Sequence, residues 1–366
     1  MKILYDHQAF TGQRYGGVAR YFHDLMESLS RMGVGIELAL QFSNNEYLKS
    51  SSIRIPRQFR NIFGFMPTSM LVSRTNRLNS IYQLQRGRFD VFHPTFFHHY
   101  FLQHLDNKPF VLTYHDCIKE KFNLAHIDNA TKEQKQELLT RASKIIAVSE
   151  NTKKDLLELY EVKADKIDVV HHSTDFINHQ QPVHFHLKTP EKYLLYVGAR
   201  NDYKNFDGLL KSIKPILKKH SDIVLLCAGG GNFSEEETIM IKILGIENQV
   251  IHQHFYSDNT LFALYQRAIA FVYPSLYEGF GIPILEAFAC GCPVILSHSS
   301  CFPEVAEDAA LYFEATSKDD LSHKLETIIS DHELRKTLIY KGLNRQKAFS
   351  SIKKAKETYE VYRSVL

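Results

Sequence analysis

The fold is predicted by residues 1–40, which read MKILYDHQAFTGQRYGGVARYFHDLMESLSRMGVGIELAL. A short apolar run at residues 3–5 precedes a polar loop, and the apolar residues from Val18 to Leu29 then recur at the spacing of one helix face. Gly33 is a typical helix end, and residues 34–40 are apolar enough for a second strand. This order of strand, helix and strand is a βαβ unit, which builds parallel sheets with helices on both faces.

The same alternation continues along the chain and divides it into two series. Further strands are predicted at residues 90–93, 109–114, 144–149 and 167–171, and then at 193–198, 223–228, 249–252, 269–273 and 294–297. Residues 173–192 lose the apolar periodicity and predict a linker. We therefore predict an α/β protein of two doubly wound, Rossmann-like domains facing a cleft. The boundaries are 1–175, 176–192 for the linker, 193–349, and 350–366 for a C-terminal helix expected to cross back to the first domain.

Composition excludes several classes of protein. The chain has 366 residues, with 44 Lys and Arg against 41 Asp and Glu, and the formal net charge of +3 argues against bulk nucleic-acid binding. Five cysteines, an odd number, do not indicate a disulfide framework. Residues 1–6 do not form a signal peptide, and no apolar stretch is long enough to cross a membrane. A cytoplasmic location is therefore expected.

Chemistry is expected beyond the carboxyl ends of the strands, where parallel sheets bind ligands. Gly16 and Gly17 precede the first long helix, where glycines let a backbone approach a phosphate, although an ordinary tight turn competes with this interpretation. His115 ends the strand at 109–114 and suits proton transfer or substrate binding, although a structural role is equally frequent there. Arg200 and Lys204, between a strand and a helix, suit a diphosphate or form a solvated basic loop.

The most specific stretch is 273–287, which reads YPSLYEGFGIPILEA. Gly279 and Gly281 precede a helix whose positive end would point at a bound ligand. Glu278 lies in the loop and Glu286 lies inside an otherwise apolar helix, where a charge is costly unless it has a partner. The hydroxyl pair of a sugar or ribose would be such a partner.

In this order, the motifs resemble those of the retaining, nucleotide-sugar-dependent glycosyltransferases of the GT-B fold, specifically family 4. The resemblance covers nearly the whole chain and depends most on the spacing of Glu278 and Glu286 within Ser-x-x-Glu-Gly-Phe-Gly. Supporting matches are Gly16-Gly17, His115-Asp116, Val148-Ser149, Arg200 with Lys204, and Cys301-Phe302-Pro303-Glu304-Val305.

The resemblance implies a role for each matched residue. His115 and Glu278 would be catalytic, close to the anomeric carbon and the transferred sugar. The remaining roles are the donor diphosphate for Arg200, Lys204, Gly16 and Gly17, the donor sugar for Gly279, Phe280 and Gly281, the nucleotide ribose for Glu286, and the vicinity of the base for Gly229, Gly230 and Tyr256. Arg200 stands one place later than in the commoner Gly-Arg pattern, which favours Lys204 for the phosphate. A GDP- or UDP-sugar is implied as substrate, with no required cofactor and no metal.

Three other interpretations compete. A nicotinamide oxidoreductase would share the two domains, but neither half contains G-x-G-x-x-G. A non-catalytic protein with the same fold would bind nucleotide without turning over a donor. A metal site has only loosely spaced candidates, which are His93, His98, His99 and His104. Cys290-Gly291-Cys292 is expected to be a buried helix end rather than a redox pair.

Residues 48–89 indicate the partner, because they contain no Asp or Glu. Their eight cations are Lys49, Arg54, Arg57, Arg60, Arg74, Arg77, Arg86 and Arg88, interleaved with apolar residues. This pattern suits an anionic membrane surface or a lipid-diphosphate acceptor, and equally a helix pair with a solvated basic face. We predict transfer of a hexose, with a lean to mannose from GDP-mannose, to a glycan or lipid-linked acceptor. The setting implied is bacterial surface-polysaccharide (lipopolysaccharide) synthesis, in the cytoplasm or at the inner face of its membrane.

Overall fold

The computed structural model describes residues 1–11, 14–53, 69–124, 130–174, 189–200, 202–254 and 257–366. Its contacts divide the chain into two compact units. Unit 1 comprises Met1–His172 and Ser351–Leu366, and unit 2 comprises Ser173–Ser350. The linker predicted at 176–192 falls mostly outside the described residues.

Both units are built on parallel strands. The strands are β1 (Lys2–Tyr5), β2 (Gly35–Leu38), β3 (Val91–His93), β4 (Val111–Tyr114), β5 (Lys144–Ala147), β6 (Ile167–Val169), β7 (Lys192–Val197), β8 (Ile223–Ala228), β9 (Val250–Gln253), β10 (Ala270–Tyr273), β11 (Val294–Ser297) and β12 (Leu311–Phe313). Every strand predicted from the sequence is present, and β12 is an addition.

Helices connect the strands. They are α1 (Gln8–Thr11), α2 (Gly17–Arg31), α3 (Ser69–Arg86), α4 (Ile118–Phe122), α5 (Lys132–Arg141), α6 (Glu150–Leu159), α7 (Phe206–Lys219), α8 (Glu235–Leu244), α9 (Asp258–Arg267), α10 (Ile282–Ala289), α11 (Phe302–Ala306), α12 (Lys318–Ser330), α13 (His332–Gln346) and α14 (Ser351–Arg363). Short 3-10 turns lie at Tyr47–Ser50, His99–Gln103, Ala164–Lys166, Asp202–Lys204 and Glu307–Ala309.

In unit 1 the strands pair in the orders β2-β1-β3 and β4-β5-β6, and a bridge between Phe92 and Phe110 joins the two ladders. The apolar face of α2 packs on this sheet. The C-terminal helix α14 contacts α2 and inserts Tyr362 into the core, where its hydroxyl lies 2.7 Å from the Tyr5 hydroxyl and 2.6 Å from His93 Nδ1. Burying such a ring contributes about 1.5–3 kcal/mol, so α14 is an integral part of this unit.

In unit 2 the sheet order is β12-β11-β10-β7-β8-β9. The first strand of this unit, β7, therefore lies in the middle, which is the arrangement of a doubly wound dinucleotide-type fold. The apolar side of α7 covers the sheet and packs against α12. The prediction of two doubly wound α/β domains is confirmed by the sheet topology of the two units.

Candidate active site

The candidate site in unit 2 lies at the carboxyl ends of β7 and β10. These strands are hydrogen-bonded neighbours, and the sheet changes its direction of winding between them, which opens a crevice where such sheets bind ligands. The loop after β7 carries Lys204 and the loop after β10 carries Glu278. The backbone N–H of Leu276 donates to the Tyr203 carbonyl oxygen at 2.7 Å. This hydrogen bond ties the two loops together.

Lys204 and Glu278 form an ion pair in this crevice. Lys204 Nζ lies 2.6 Å from Glu278 Oε1 and donates to the Tyr273 hydroxyl at 3.3 Å. The side chains are only 15% and 9% exposed, so each charge depends on the other. The predicted phosphate ligand and the predicted sugar-contacting carboxylate are thus brought together. Tyr273 was not singled out from the sequence, although its position at the end of β10 was a usable signal.

The glycine-rich loop before α10 is held by its own packing. Gly281 has φ of +89°, and a Cβ there would lie 3.0 Å from Ile284 Cδ1 and 3.1 Å from Phe302 Cε1. Phe280 buries its ring against Phe349 at 5.7 Å between centroids. Its contact with a donor would therefore come from the backbone, as it would for Gly279. The backbone N–H of Glu278 donates to Ser300 Oγ at 3.1 Å, a contact that sequence reasoning missed.

Glu286 is buried within α10, as its apolar surroundings predicted. It is 5% exposed, and the Tyr265 hydroxyl donates to Oε2 at 3.3 Å. Burial and the neighbouring carboxylate raise the pKa of Tyr265 well above its usual value, which keeps this phenol protonated as a donor. Tyr265 thus provides one of the hydrogen bonds that the buried carboxylate of Glu286 needs, in addition to the ribose hydroxyls predicted from the sequence.

Arg200 is occupied by the protein itself. Its side chain is 4% exposed, and Nε lies 2.8 Å from Glu237 Oε1. The remaining donors reach carbonyl oxygens of the glycine-rich loop after β8, which are those of Gly229 at 3.0 Å, Gly231 at 3.0 Å and Asn232 at 2.8 Å. The described geometry places Arg200 as an organiser of this loop, while Lys204 forms the ion pair with Glu278 in the crevice.

The glycine loop after β8 packs directly on the loop after β7. Gly229, Gly230 and Gly231 all have positive φ, of 80°, 70° and 77°. A Cβ at Gly230 would lie 2.6 Å from the Gly198 carbonyl oxygen, so only glycine fits there. Gly229 and Gly230 therefore border the same crevice edge as residues 198–200. Tyr256, the third residue predicted near the base, lies outside the described residues.

Unit 1 carries the remaining predicted residues. Gly16 is extended and caps α2, and Gly17 is its first residue. Among the described residues, no atom lies within 4 Å of a Cβ built at Gly17. The N-terminus of this helix is therefore open to an approaching group, and its dipole favours an anion.

His115 follows β4 in a cluster of aromatic rings. Its ring stacks on His172 at 5.5 Å and meets Tyr21 edge-on at 4.9 Å. Its Nε2 atom is buried without a hydrogen-bond partner among the described residues. Burial, and secondarily the positive charge of Lys354, lower the pKa of His115 to about 4. This histidine is therefore neutral at pH 7.

Lys354 is the residue of this cluster that sequence reasoning missed. It is 3% exposed on α14, and its Nζ lies 5.0 Å from the centroid of the Tyr21 ring. It also contributes, after burial and His115, to lowering the pKa of His172 well below its usual value. The amphipathic pattern of α14 was visible in the sequence, but nothing in that pattern indicated which core this lysine would enter.

The remaining candidates are the histidines of a metal site, the cysteines of a redox pair and the arginines of the basic stretch. His93 is buried, with Nδ1 2.6 Å from the Tyr362 hydroxyl and Nε2 2.9 Å from Thr113 Oγ1. No cluster of three or more metal-ligating side chains occurs in the described part of the chain. Cys290 and Cys292 are buried free thiols whose pKa values are raised by burial, so neither is a reactive thiolate at pH 7. Arg54, Arg57 and Arg60 of the basic stretch lie outside the described residues.

None of the helices in the described ranges is both long enough and apolar enough to cross a bilayer.

Comparison with known proteins agrees with this architecture. Residues 15–176 match the family model described as Glycosyltransferase Family 4, and residues 179–345 match Glycosyl transferases group 1. O-antigen chain mannosyltransferase B of Escherichia coli is 30% identical over 236 residues, which are 62% of either chain. N-acetylgalactosamine-N,N'-diacetylbacillosaminyl-diphospho-undecaprenol 4-alpha-N-acetylgalactosaminyltransferase of Campylobacter jejuni is 26% identical over 223 residues, 60% of either chain. The chain thus spans less than two thirds of both relatives.

A solved structure matches the whole chain. Anabaena HepE in complex with UDP has a TM-score of 0.76 at 18% identity, over 100% of both chains, which establishes the fold. The matched structure defines the GT-B fold and the two family-model matches define the class of protein, so the chain is a GT-B glycosyltransferase. Within that class it is of the family 4-like kind, as its motifs predicted. The nicotinamide oxidoreductase interpretation is thereby excluded.

Proposed function

We propose that this protein is a retaining hexosyltransferase that uses a nucleotide-sugar donor in bacterial surface-polysaccharide synthesis. The observation that carries the proposal is the Lys204–Glu278 pair in the switch-point crevice of unit 2. The amide and helix dipoles of the loop before α10 lie beside this pair. Such a crevice is where doubly wound sheets hold nucleotides.

Breaking the anomeric C–O bond of the donor releases a nucleoside diphosphate and leaves positive charge on the sugar ring. In this proposal Lys204 moves from Glu278 to the diphosphate and stabilises the departing charge. Glu278 is then free to face the transferred sugar with the backbone of residues 279–281. Glu286, oriented by Tyr265, holds the ribose hydroxyls, and Arg200 shapes the loop of Gly229 and Gly230 near the base.

Unit 1 supplies the remaining groups in this proposal. The family 4 resemblance supports a diphosphate-binding role for Gly16 and Gly17 at the N-terminus of α2, and a hydrogen-bonding role towards the donor sugar for neutral His115. The family 4 resemblance supports retention of the anomeric configuration.

The donor and acceptor are proposed from the relatives. The name of the Escherichia coli relative supports mannose and therefore GDP-mannose, whereas the HepE complex holds UDP. The name of the Campylobacter relative contains a diphospho-undecaprenol, which supports a lipid-linked acceptor. Transfer would then occur in the cytoplasm, at the inner face of its membrane.

The test is a thermal-shift and calorimetry panel of UDP, GDP, ADP and their sugars on the full chain. A ligand at 100 times its dissociation constant should stabilise the protein by about 2.7 kcal/mol. With the donor identified, Lys204→Ala and Glu286→Ala should abolish donor turnover. Lys211→Ala, an exposed lysine on α7, is the matched control. Product anomers assigned by NMR then report retention or inversion.

Two outcomes would contradict the proposal. Normal turnover by Lys204→Ala would show that the crevice around Lys204 is not the donor site. Tight nucleotide binding without donor turnover, with every acceptor and in donor hydrolysis, would favour the non-catalytic binding protein.

A further inference from the structure

A pocket of about 630 Å³ lies in unit 1, beyond the carboxyl ends of β1 and β3. Since β1 lies between β2 and β3, this is the winding switch point of the first sheet, the counterpart of the crevice in unit 2. The pocket is lined by residues that follow these two strands and by the first turns of α3. It contains none of the residues assigned above to the donor site.

Two arginines of α3 give this pocket its charge. Arg74 and Arg77 are three residues apart and share one helix face. Neither has a carboxylate partner within the described ranges, and Arg77 Nε is buried there without a hydrogen-bond partner. Arg77 is positioned over the Tyr100 ring at 5.8 Å, with Nη2 2.9 Å from His98 Nε2. Paired guanidinium groups without a counter-charge bind phosphate oxygens well.

A buried carboxylate beside the pocket, that of Asp6, already accepts hydrogen bonds from its neighbours. Asp6 accepts hydrogen bonds from the Thr95 backbone at 2.8 Å, from Thr95 Oγ1 at 2.7 Å, from Gln8 Nε2 at 2.7 Å and from the Tyr100 hydroxyl at 3.1 Å. It therefore stabilises the walls of the pocket, and among the described residues it forms no ion pair with Arg74 or Arg77.

His7 adds a hydrogen-bond acceptor. Thr11 Oγ1 donates its proton to the His7 carbonyl oxygen and accepts from Asn76 Nδ2, so the contact of 2.9 Å with His7 Nδ1 requires that Nδ1 carry hydrogen. Burial lowers the pKa of His7, and although Asp6 opposes this shift, Arg77 and His98 add to it, so the ring is neutral at pH 7. Its Nε2 is then a bare lone pair, buried and unpartnered among the described residues, at the wall of the pocket.

We propose that this pocket binds the phosphorylated sugar of the acceptor, with Arg74 and Arg77 on the phosphate oxygens and His7 Nε2 accepting a sugar hydroxyl. The ligand class is a glycosyl phosphate or diphosphate, which combines anionic oxygens with hydroxyl donors. The assignment builds on the proposed function, since it names the acceptor class for the same transferase. Met70 and Leu71, 64% and 54% exposed beside Arg74, favour the lipid-linked form.

The experiment measures binding to the full chain by calorimetry, with saturating nucleoside diphosphate to occupy the donor site. The probes are a hexose 1-phosphate, inorganic phosphate, the free hexose, and a hexose linked by diphosphate to a short polyprenyl chain. Arg74→Gln/Arg77→Gln should lower the affinity for hexose 1-phosphate by about tenfold or more. Arg86→Gln/Arg88→Gln, which removes the same charge from exposed positions at the last residue of α3 and just beyond it, should leave the affinity unchanged.

His7→Asn separates the hydroxyl contact from the charge. Asparagine keeps a donor towards Thr11 but lacks the Nε2 acceptor. We expect this variant to lose the preference for hexose 1-phosphate over inorganic phosphate while its affinity for inorganic phosphate stays constant. Tighter binding of the polyprenyl-linked probe identifies the lipid-linked source, and equal binding identifies a soluble glycosyl phosphate.

Equal losses in both arginine pairs, or unchanged affinity in the Arg74 and Arg77 variant, would overturn the assignment. The assignment would also be overturned if the Arg74 and Arg77 variant lost binding to phosphatidylglycerol vesicles but kept its affinity for hexose 1-phosphate. That result would assign the two arginines to a membrane surface. Nucleoside diphosphate affinity, measured in parallel, reports the donor site separately. If the unmodified protein did not bind nucleoside diphosphate, the proposed function would be refuted. The comparison of the two arginine pairs would remain valid. Thermal unfolding midpoints verify that each variant folds.

Discussion

Lys204 Nζ lies 2.6 Å from Glu278 Oε1, so the cation expected to hold the donor diphosphate is neutralised by the carboxylate expected to face the donor sugar. The two residues are 74 positions apart and meet because β7 and β10 are neighbours in the sheet. A bound diphosphate must compete with Glu278 for Lys204. The pair therefore couples donor binding to release of the carboxylate.

Glu278→Gln should separate binding from turnover. Removing the carboxylate leaves Lys204 with its full charge for the diphosphate, so we expect nucleoside diphosphate affinity to rise by about two- to tenfold. Turnover should fall sharply because the sugar loses its carboxylate. Calorimetry and donor-turnover rates measure the two effects. A parallel fall in both quantities would show that the pair is only structural.

Gly17→Ala should leave the fold intact and impair the reaction. No described atom lies within 4 Å of the added Cβ, and Gly17 is not among the glycines with positive φ. We expect stability to be unchanged or raised by about 0.5–1 kcal/mol, since alanine restricts the unfolded chain. The methyl group should obstruct the diphosphate and lower turnover. Gly35→Ala in β2 is the control, and equal activity of the two variants would remove the proposed role.

Lys354→Met should raise the pKa of His115. Burial is the main cause of its low pKa and Lys354 is the second, so the value should move up from about 4 but stay below its usual value. NMR titration of the histidine Cε1–H resonances, assigned with His115→Gln, measures the change. Lys353→Met, an exposed neighbour on α14, should not shift the resonance. An unchanged His115 titration in Lys354→Met would show that the lysine does not act on this ring.

Unit 1 should lose stability before unit 2 as the solution is acidified. Burial lowers the pKa of His93 to about 3 and that of His115 to about 4, below their value in the unfolded chain. As the pH falls below 6.5, the unfolded chain binds protons that the folded unit does not, so the free energy of unfolding falls. By pH 4 the loss is about 3 kcal/mol for His93 alone.

Hydrogen exchange at pH 7 and pH 5, corrected for intrinsic rates, measures this difference between the units. His93→Gln should flatten the pH dependence of unit 1, since glutamine does not titrate. Equal acid sensitivity of the two units would contradict the expectation.

The amino-acid sequence determined the local elements and the motifs of the crevice. Short apolar runs placed eleven strands, because the strands of a parallel sheet covered on both faces are buried on both sides. Strand β12 at the sheet edge was not singled out from the sequence. Glu278, Lys204 and Glu286 were found because their chemistry is conspicuous beside glycines and apolar residues.

Only the tertiary structure decided which groups are already occupied. Arg200 and Lys204 look alike in the sequence, yet Glu237 and three carbonyl oxygens bind Arg200, while Lys204 pairs with Glu278 in the crevice. Likewise, the lone pair of His7 and the two arginines of α3, which have no carboxylate partner among the described residues, converge only at the switch point of the first sheet. Periodicity reports burial along one element, whereas partners and pockets depend on the order in which distant strands pair.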